Sequence, residues 1–281
     1  MSFLSGLMGS RDGSGDAVQA GGNSRDDGKV SFGWGLMRGK RTTMEDFHYA
    51  GFVREAHSGE QVGCFGVYDG HGGSAAAEFV KEHLFRNLLK SPKFQTDVPG
   101  AIVDSFLKTD KEYLEQNGEE RDDGCTAVIA VVKGSTLYVA HVGDSRAVLS
   151  REGEAVALSD DHKPNRSDER SRIEGLGGVV VWAGTWRVGG VLAVSRAFGD
   201  KMLKKFVVAE PEVATEELSK KDECLVLASD GLWDVMTNEE AVETVRKVGD
   251  AKEAAKTLVD EAYKRGSGDN ISAIAVVFKF E

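Results

Sequence analysis

The chain has 281 residues, enough for one large domain with a sizeable core. It carries 35 basic and 46 acidic residues, and the formal net charge of −11 argues against nucleic acid or an anionic membrane as a partner. No apolar run is long enough to span a bilayer. The three cysteines, Cys64, Cys125 and Cys224, lie in or beside apolar runs. They favour buried thiols in a reducing intracellular compartment, the cytoplasm or the nucleus.

The first 28 residues differ in composition from the rest of the chain. They are rich in Gly, Ser and Asp and contain little apolar material after Met8. Such a segment cannot bury a core. We therefore expect a disordered N-terminal arm over residues 1–28 and a single folded domain over residues 29–281.

The first half of the domain predicts strands followed by a helix pair. Ser31 to Met37, Phe47 to Val53 and Val62 to Tyr68 are short, β-prone runs. Ala75 to Lys90 places its apolar residues on one helical face, and Val98 to Asn117 repeats that spacing.

The second half predicts a hairpin, a glycine-rich segment and a second helix pair. Thr126 to Val132 and Leu137 to Val142 are strong strands joined by a tight turn. Val179 to Val191, with Trp182, Trp186 and three glycines, is interpreted as a flexible flap. The helices predicted near the end span Glu239 to Val248 and Ala251 to Lys264, and the terminal strand spans Ile271 to Phe280. Strands in hairpin order with paired helices indicate antiparallel sheets covered by helices, not a βαβ array.

Acidic residues follow several of the predicted strands. Tyr68-Asp69-Gly70-His71-Gly72 comes after one buried strand, and Ser229-Asp230-Gly231 comes after another. Glu45-Asp46 and Asp269-Asn270 flank two more. Carboxylates that converge from strand ends repel one another unless cations hold them. Ligands that are oxygen atoms favour Mg²⁺ or Mn²⁺ over Zn²⁺.

Two other phosphate-related signatures were compared with the chain. A thiol phosphatase loop needs an Arg six residues after its Cys, and none of the three cysteines has one. The stretch Gly70 to Ala75 matches the dinucleotide fingerprint G-x-G-x-x-A between a strand and a helix. The acidic residue expected about 20 positions later is missing, because Lys90-Ser91-Pro92 stands there. The dinucleotide interpretation therefore has little support.

Taken together, the motifs resemble the metal-dependent Ser/Thr protein phosphatases of the protein phosphatase 2C (PP2C) family, and plant members most of all. The resemblance covers about Val30 to Phe280. It rests on seven motifs in the family's order: Arg41 to Asp46, Val67 to Gly73, Gly124 to Ala127, Gly143 to Arg146, Ser195 to Asp200, Ser229 to Asp234 and Gly268 to Asn270.

The resemblance implies a fold, a reaction and a set of site residues. The fold would be a four-layer αββα sandwich, in which helix pairs flank two antiparallel β-sheets. The reaction would be hydrolysis of phosphoserine and phosphothreonine in proteins, by a water that two Mg²⁺ or Mn²⁺ ions activate. The implied metal residues are Asp69 as the bridging ligand, Asp230 and Asp269 on one metal, the Gly70 carbonyl and Glu45 on the other, Asp46 behind them, and Asp144 and Asp234 for a weaker third ion. Arg41 would grip the phosphate oxygens, and His71 would protonate the leaving oxygen.

Simpler interpretations stand beside these roles. An Asp-Gly after a strand is usually only a turn, and Asp144 could equally cap one. Trp182 and Trp186 would recognise substrate if exposed, but either could pack into the domain instead. For the whole chain, the alternative to an active, monomeric enzyme is a pseudophosphatase that serves only as a binding or regulatory module. No chemical role was assigned to the remaining histidines: His48, His57, His83, His141 and His162.

Overall fold

Two antiparallel sheets form the centre of the molecule. The structure is a computed structural model that describes residues 17–55, 59–116 and 121–280. The first sheet has six strands, in the order β1 (Gln19–Ser24), β2 (Val30–Met37), β16 (Ile271–Phe278), β15 (Asp222–Ala228), β9 (Arg146–Arg151) and β10 (Glu154–Ala157). The second has five, in the order β14 (Glu212–Glu217), β8 (Thr136–Val142), β7 (Ala127–Lys133), β4 (Gln61–Tyr68) and β3 (Phe47–Arg54).

Helices lie outside the two central sheets. They are α1 (Ala75–Lys90), α2 (Val98–Gln116), α3 (Ser167–Gly175), α4 (Asp230–Trp233), α5 (Asn238–Val248) and α6 (Ala251–Lys264), with 3₁₀ turns at Pro92–Gln95 and Lys201–Leu203. The pair α1 and α2 packs on the five-stranded sheet, and α5 and α6 pack on the six-stranded sheet. The predicted four-layer αββα sandwich is thus confirmed. None of the helices described here is both long and apolar enough to cross a membrane.

Strand β4 shows why the central strands are apolar at nearly every position. Successive side chains on a strand point to opposite faces. Cys64 and Tyr68 join the core beneath α1 and α2, whereas Phe65 and Val67 join the core between the two sheets. Both faces are buried, so the strand has no polar side, and each face contributes to a different core.

Two small sheets lie outside the sandwich. One has three strands in the order β13 (Phe198–Gly199), β6 (Gly124–Cys125) and β5 (Gly70–His71). The other is a hairpin of β11 (Val180–Trp182) and β12 (Trp186–Val188). The segment predicted as a flexible flap is therefore an ordered hairpin, closed by Gly184 at φ 79° and a hydrogen bond from the Ala183 amide to Thr185 O at 2.8 Å.

The predicted N-terminal arm also needs a correction. Residues 1–16 lie outside the described residues, but Gln19–Ser24 pairs along its whole length with β2 as strand β1. Its glycines permit this pairing: a Cβ at Gly21 would lie 2.6 Å from the Trp34 ring, and one at Gly22 would lie 3.2 Å from Lys252 Cβ. Folded structure thus begins before the boundary expected at residue 29.

Candidate active site

Three carboxylates from different strand ends converge at one edge of the sandwich. Asp69 follows β4, Asp144 follows β8, and Asp230 follows β15. One oxygen from each lies within 4.8 Å of the other two. The two sheets therefore both contribute to a compact site made of oxygen atoms.

Two glycines make this close approach possible. A Cβ at Gly70 would lie 2.5 Å from Glu45 O, so only glycine lets the Glu45 segment reach the Asp69 turn. Gly143 adopts a φ of 92°, and a Cβ there would lie 2.5 Å from Thr126 Cβ. The Asp69 backbone is held in turn by a 2.9 Å hydrogen bond from the Thr126 amide to Asp69 O.

Burial and mutual repulsion disfavour the ionised form of two carboxylates in this cluster, Asp69 and Asp230. Burial, followed by the nearby carboxylates of Asp46 and Asp230, raises the pKa of Asp69 well above its usual range. Burial and the charges of Asp144 and Asp234 do the same to the pKa of Asp230. Divalent cations stabilise the ionised carboxylates, so this donor set suits a hard cation.

Asp46 lies buried behind the cluster. Its Oδ2 accepts hydrogen bonds from Ser229 Oγ at 2.8 Å and Ser272 Oγ at 2.6 Å. Burial nevertheless raises the pKa of Asp46 to about 6. Asp46 therefore links the loop after β15 to strand β16 and braces the cluster from inside.

Asn270 attaches the loop before β3 to the site. Its side-chain oxygen accepts from the Glu45 amide at 2.8 Å, and its Nδ2 donates to Arg38 O at 2.8 Å and Thr43 O at 2.9 Å. Glu45 Oε1 accepts from the Thr43 hydroxyl at 3.0 Å. The sequence motif contained Asn270, but the sequence alone did not show this role.

Arg41 lies at the open side of the site. Its guanidinium donates to Asp269 Oδ2 at 2.6 Å, and its side chain is 59% exposed. Asp269 Oδ1 also accepts from the Asn270 amide at 2.7 Å. The predicted phosphate ligand and a predicted metal ligand are thus adjacent, and the Arg41 side chain is accessible from solvent.

Lys163 is a basic neighbour that the sequence did not single out. Its ammonium forms a short contact with Asp144 Oδ2. Although burial alone would lower it, the pKa of Lys163 is raised by Asp144 and by Asp230 and Asp161. Lys163 also opposes the rise in the pKa of Asp234, which burial and the charges of Asp144 and Asp269 produce.

His71 lies beside the cluster on strand β5. Its Nε2 lies 2.9 Å from Asp200 Oδ1 and 3.0 Å from Asp200 Oδ2. Burial lowers the pKa of His71, but Asp200 and the charges of Asp144 and Asp123 outweigh it, and the net shift is upward. Asp200 belongs to the sequence motif Ser195 to Asp200, but the sequence alone does not show this contact with His71.

A second cluster with metal-ligand residue types lies elsewhere. Atoms of His141, His162 and Glu212 also fall within 4.8 Å of one another. His162 Nδ1 accepts from the Gly143 amide at 3.2 Å, so Nε2 carries the proton of the neutral ring. His141 Nε2 donates to Asp160 O at 2.9 Å. The ring nitrogens facing Glu212 therefore both bear protons.

The charge around Glu212 also disfavours a cation. Arg166 forms a short ion pair with Glu212 Oε1, and Arg196 lies 3.6 Å from the same oxygen. Burial lowers the pKa of His141, and burial followed by the charges of His141 and Arg196 lowers the pKa of His162 to about 2. This cluster is an ion-pair network with two neutral rings, not a metal site.

The two tryptophans of the hairpin differ in exposure. Trp182 is 64% exposed, whereas Trp186 is partly buried. Their rings meet edge to face at 5.5 Å, and Arg170 lies over the Trp186 ring at 5.6 Å. Trp182 is thus available at the surface, while Trp186 supports it.

Comparisons with known proteins agree with this fold. The family model "Protein phosphatase 2C" matches residues 30–271. The chain belongs to the protein phosphatase 2C family. It is 56% identical over 269 residues to "Probable protein phosphatase 2C member 13, mitochondrial" of Oryza sativa subsp. japonica, covering 95% of this chain and 74% of the relative. It is 54% identical over 263 residues to "Probable protein phosphatase 2C 52" of the same plant, covering 93% of this chain and about half, 53%, of that relative.

A solved structure matches over nearly the same length. The crystal structure of serine-threonine phosphatase 2C from Toxoplasma gondii superposes with a TM-score of 0.77 at 27% identity, covering 93% of this chain and 99% of that one. The predicted resemblance to PP2C phosphatases, including those of plants, is confirmed. The class of the enzyme, a Ser/Thr protein phosphatase, is confirmed with it, and nothing among these findings favours the pseudophosphatase alternative.

Proposed function

We propose that the chain hydrolyses phosphoserine and phosphothreonine in proteins at a site that holds two Mg²⁺ or Mn²⁺ ions. The observation that carries this proposal is the convergence of Asp69, Asp144 and Asp230, whose oxygens lie within 4.8 Å of one another in a buried, acidic setting. In this proposal the metal-holding residues are Asp69, Gly70, Asp230, Asp269 and Glu45, with Asp46 behind them and Asp144 and Asp234 available to a weaker third ion. When bound, such cations supply the Lewis acidity that activates a water for attack on phosphorus.

The chain's own residues then bind the phosphate and handle the proton of the leaving group. Arg41 is exposed beside Asp269, where its planar guanidinium can take two phosphate oxygens. His71 is held beside the cluster and can protonate the seryl or threonyl oxygen as the P–O bond breaks.

The hairpin from Val180 to Val188 is proposed to recognise phosphoproteins. Trp182 offers a large exposed surface, and exposed Trp is enriched among residues that dominate binding. Trp182→Ala should change kcat/KM for a phosphoprotein by roughly 1–3 kcal/mol and leave a small aryl phosphate nearly unaffected. Trp186→Ala should be assayed on the same two substrates, and thermal melting of both variants should be measured. Together these measurements show how far recognition of the phosphoprotein depends on the packing of the hairpin. Equal losses on both substrates with a large fall in Tm would assign both tryptophans to packing.

Metal dependence tests the main proposal. EDTA should abolish turnover of a phosphothreonine peptide and of para-nitrophenyl phosphate, and Mn²⁺ or Mg²⁺ should restore both. Full activity in metal-free buffer would contradict the two-metal site. If the protein melts cooperatively but shows no turnover with any divalent cation, the pseudophosphatase alternative would be supported instead.

Two substitutions test the assigned roles separately. Arg41→Ala should mainly raise KM, because the phosphate loses a ligand.

His71→Ala should lower kcat for the phosphothreonine peptide by on the order of 10²-fold or more, because an alkoxide needs a proton to leave. An activated aryl phosphate needs little such help, so equal losses on both substrates would remove the acid role of His71.

We also propose that the protein acts inside the cell, in the cytoplasm or the nucleus. We propose further that it acts as a monomer. Support for the intracellular location comes from three free cysteines that are all buried. Fractionation of cells expressing the full chain, and light scattering of the purified protein, would test these two points.

A further inference from the structure

We propose that Asp200 is a positioning residue for the phosphatase reaction: it holds the His71 imidazole through Nε2, so that Nδ1 is the nitrogen that protonates the leaving oxygen. This inference rests on the proposed acid role of His71. The contact that motivates it joins residues 129 positions apart, with Nε2 at 2.9 and 3.0 Å from the two carboxylate oxygens of Asp200. The Asp200 side chain is only 6% exposed, so water competes weakly for this contact.

A dedicated three-stranded sheet brings the two residues together. In its register, His71 on β5 pairs with Gly124 on β6, and Gly124 pairs in turn with Gly199 on β13. Asp200 follows directly after β13. Strand β6 therefore lies between the two strands that carry the imidazole and the carboxylate, and it sets how far apart those strands are.

Gly124 leaves the space that the pair occupies. A Cβ at this position would lie 2.5 Å from His71 Nε2 and would overlap Asp200 Oδ2. Any side chain at position 124 would therefore push the ring and the carboxylate apart. This glycine is required by the contact itself, because its φ does not lie in the left-handed region.

The backbone of Asp200 adopts an unusual conformation to reach the ring. Its φ of 51° and ψ of 52° are left-handed, one of only two such non-glycine residues in the part of the chain described here. The conformation is fixed by the Asp200 amide, which donates to Asp123 O at 3.2 Å, and by the Leu203 amide, which donates to Asp200 O at 2.9 Å. A residue kept in such a conformation at a site often has a functional reason.

The contact decides which ring nitrogen is free to act. An imidazole whose Nε2–H is bound to a carboxylate has Nδ1 as its other polar atom. As the P–O bond to the substrate breaks, its electron pair stays on the seryl or threonyl oxygen, which takes the proton from Nδ1. The Nε2 proton stays on the ring, bonded to Asp200, and a proton from solvent later restores Nδ1–H.

Two substitutions at Asp200 separate its side chain from its backbone. Asp200→Gly removes the carboxylate and keeps a residue that readily adopts a positive φ. Asp200→Asn keeps one acceptor oxygen and tolerates the same backbone. On a phosphothreonine peptide we expect Asp200→Gly to lower kcat by about 10- to 100-fold, by analogy with residues that orient metal-ligating histidines. Asp200→Asn should recover part of that loss, and on para-nitrophenyl phosphate both should stay within about threefold of wild type.

Control variants and a double substitution make the test specific. Asp222→Asn, which changes a buried carboxylate paired with Arg151, should alter Tm without changing the ratio of the two activities. In a His71→Ala background, Asp200→Gly should cost no further activity, because the group it positions is gone. An additive loss there, or equal losses on both substrates, would overturn the proposal.

A spectroscopic measurement gives a result that does not depend on turnover. Long-range ¹H–¹⁵N spectra should show that Nε2 of His71 carries a proton in the wild-type protein. The Nε2 signal should change in Asp200→Gly. The spectrum of His71→Ala identifies the signal, because it is missing there. A signal unchanged by Asp200→Gly would also overturn the proposal. Equal losses on the two substrates in His71→Ala itself would instead contradict the acid role on which the inference rests, so the two failures can be told apart.

Discussion

Among the residues that the structure describes, two groups of three side chains could hold a metal, and only one of these groups suits a cation. The ligand atoms of Asp69, Asp144 and Asp230 lie within 4.8 Å of one another, and so do those of His141, His162 and Glu212. In the first group burial and mutual repulsion raise the pKa values of Asp69 and Asp230, with Lys163 paired only to Asp144. In the second group arginines already neutralise the carboxylate, and protons occupy the facing ring nitrogens. The distances between ligand atoms therefore do not distinguish the metal site from the ion-pair network. The difference is that the carboxylates of the first group have few basic partners, whereas the carboxylate of the second group is already neutralised.

The largest expected effect is the loss of activity on Asp69→Asn. A neutral amide in place of the central carboxylate weakens the hold on every cation in the first cluster. Several kcal/mol of transition-state stabilisation should be lost, on the order of 10³-fold in kcat. The measurement is turnover of a phosphothreonine peptide in Mn²⁺ or Mg²⁺, with a melting curve to show that the variant is folded.

The matched control for this variant is Glu212→Gln in the second cluster. It makes the same carboxylate-to-amide change, and we expect kcat to stay within about threefold of wild type. If both variants lost activity equally, the distinction between the two clusters would fail.

Metal binding should also appear as stability, which is the next largest effect. A cation that binds only the folded state adds about 2.7 kcal/mol at 100 times its Kd. For a domain of this size that corresponds to a rise in Tm of roughly 5–10 °C. We expect Mn²⁺ or Mg²⁺ to raise Tm in wild type and in His162→Gln, and EDTA to reverse it. In Asp230→Asn most of the rise should disappear. The reverse pattern would move the metal site to the histidine cluster.

The same contrast shows how much of the site could be predicted from sequence. Asp69 and Asp230 were identifiable because each follows a long apolar run, and such runs predict strands well. The contact between His71 and Asp200 could not be predicted. It depends on β5, β6 and β13, which have two residues each, too short for any periodicity.

The fold was predictable for a similar reason. Helix α1 was expected at the bounds it has, Ala75–Lys90, because its apolar spacing and Pro92 mark both the face and the end. Strand β1 was missed because Gln19–Ser24 has no apolar alternation. Its stability comes from backbone pairing with β2 and from glycines that let it lie against Trp34. Such tertiary pairing leaves little trace in local composition.

The buried histidine pair of the second cluster should make stability depend on pH. The pKa of His162 is about 2 in the folded protein and near 6.5 in an unfolded chain, and burial is the main cause. Its contribution to stability is complete above pH 6.5 and is lost as the pH falls toward 2, because only the unfolded state takes up the proton. The slope approaches about 1.4 kcal/mol per pH unit for this one group.

Thermal melting of metal-free protein between pH 7.5 and pH 4.5 measures this effect. His162→Gln should lower Tm at pH 7.5 yet flatten the decline toward acid, relative to wild type. His83→Gln, on the partly exposed face of α1, serves as the control and should keep the wild-type slope. An unchanged slope in His162→Gln would show that the folded state takes up the His162 proton as readily as the unfolded state does. That result would weaken the description of this cluster as two neutral rings.

The smallest expected effect is the stability lost on Glu212→Gln. The Glu212 carboxylate forms an ion pair with Arg166 and lies near Arg196. Because the Glu212 side chain is 39% exposed, solvent screens both interactions. Arg166 also keeps Asp168 at 2.8 Å, and Arg196 keeps Glu169 at 2.7 Å. Because both arginines retain a partner, we expect a loss of only about 1 kcal/mol in the free energy of unfolding. Urea unfolding at low salt and at 1 M NaCl measures this loss, and the difference from wild type should shrink at high salt. Suppose that Mn²⁺ stabilised the wild-type protein but not Glu212→Gln. That result would mean that Glu212 binds a cation, and the contrast between the two clusters would be wrong.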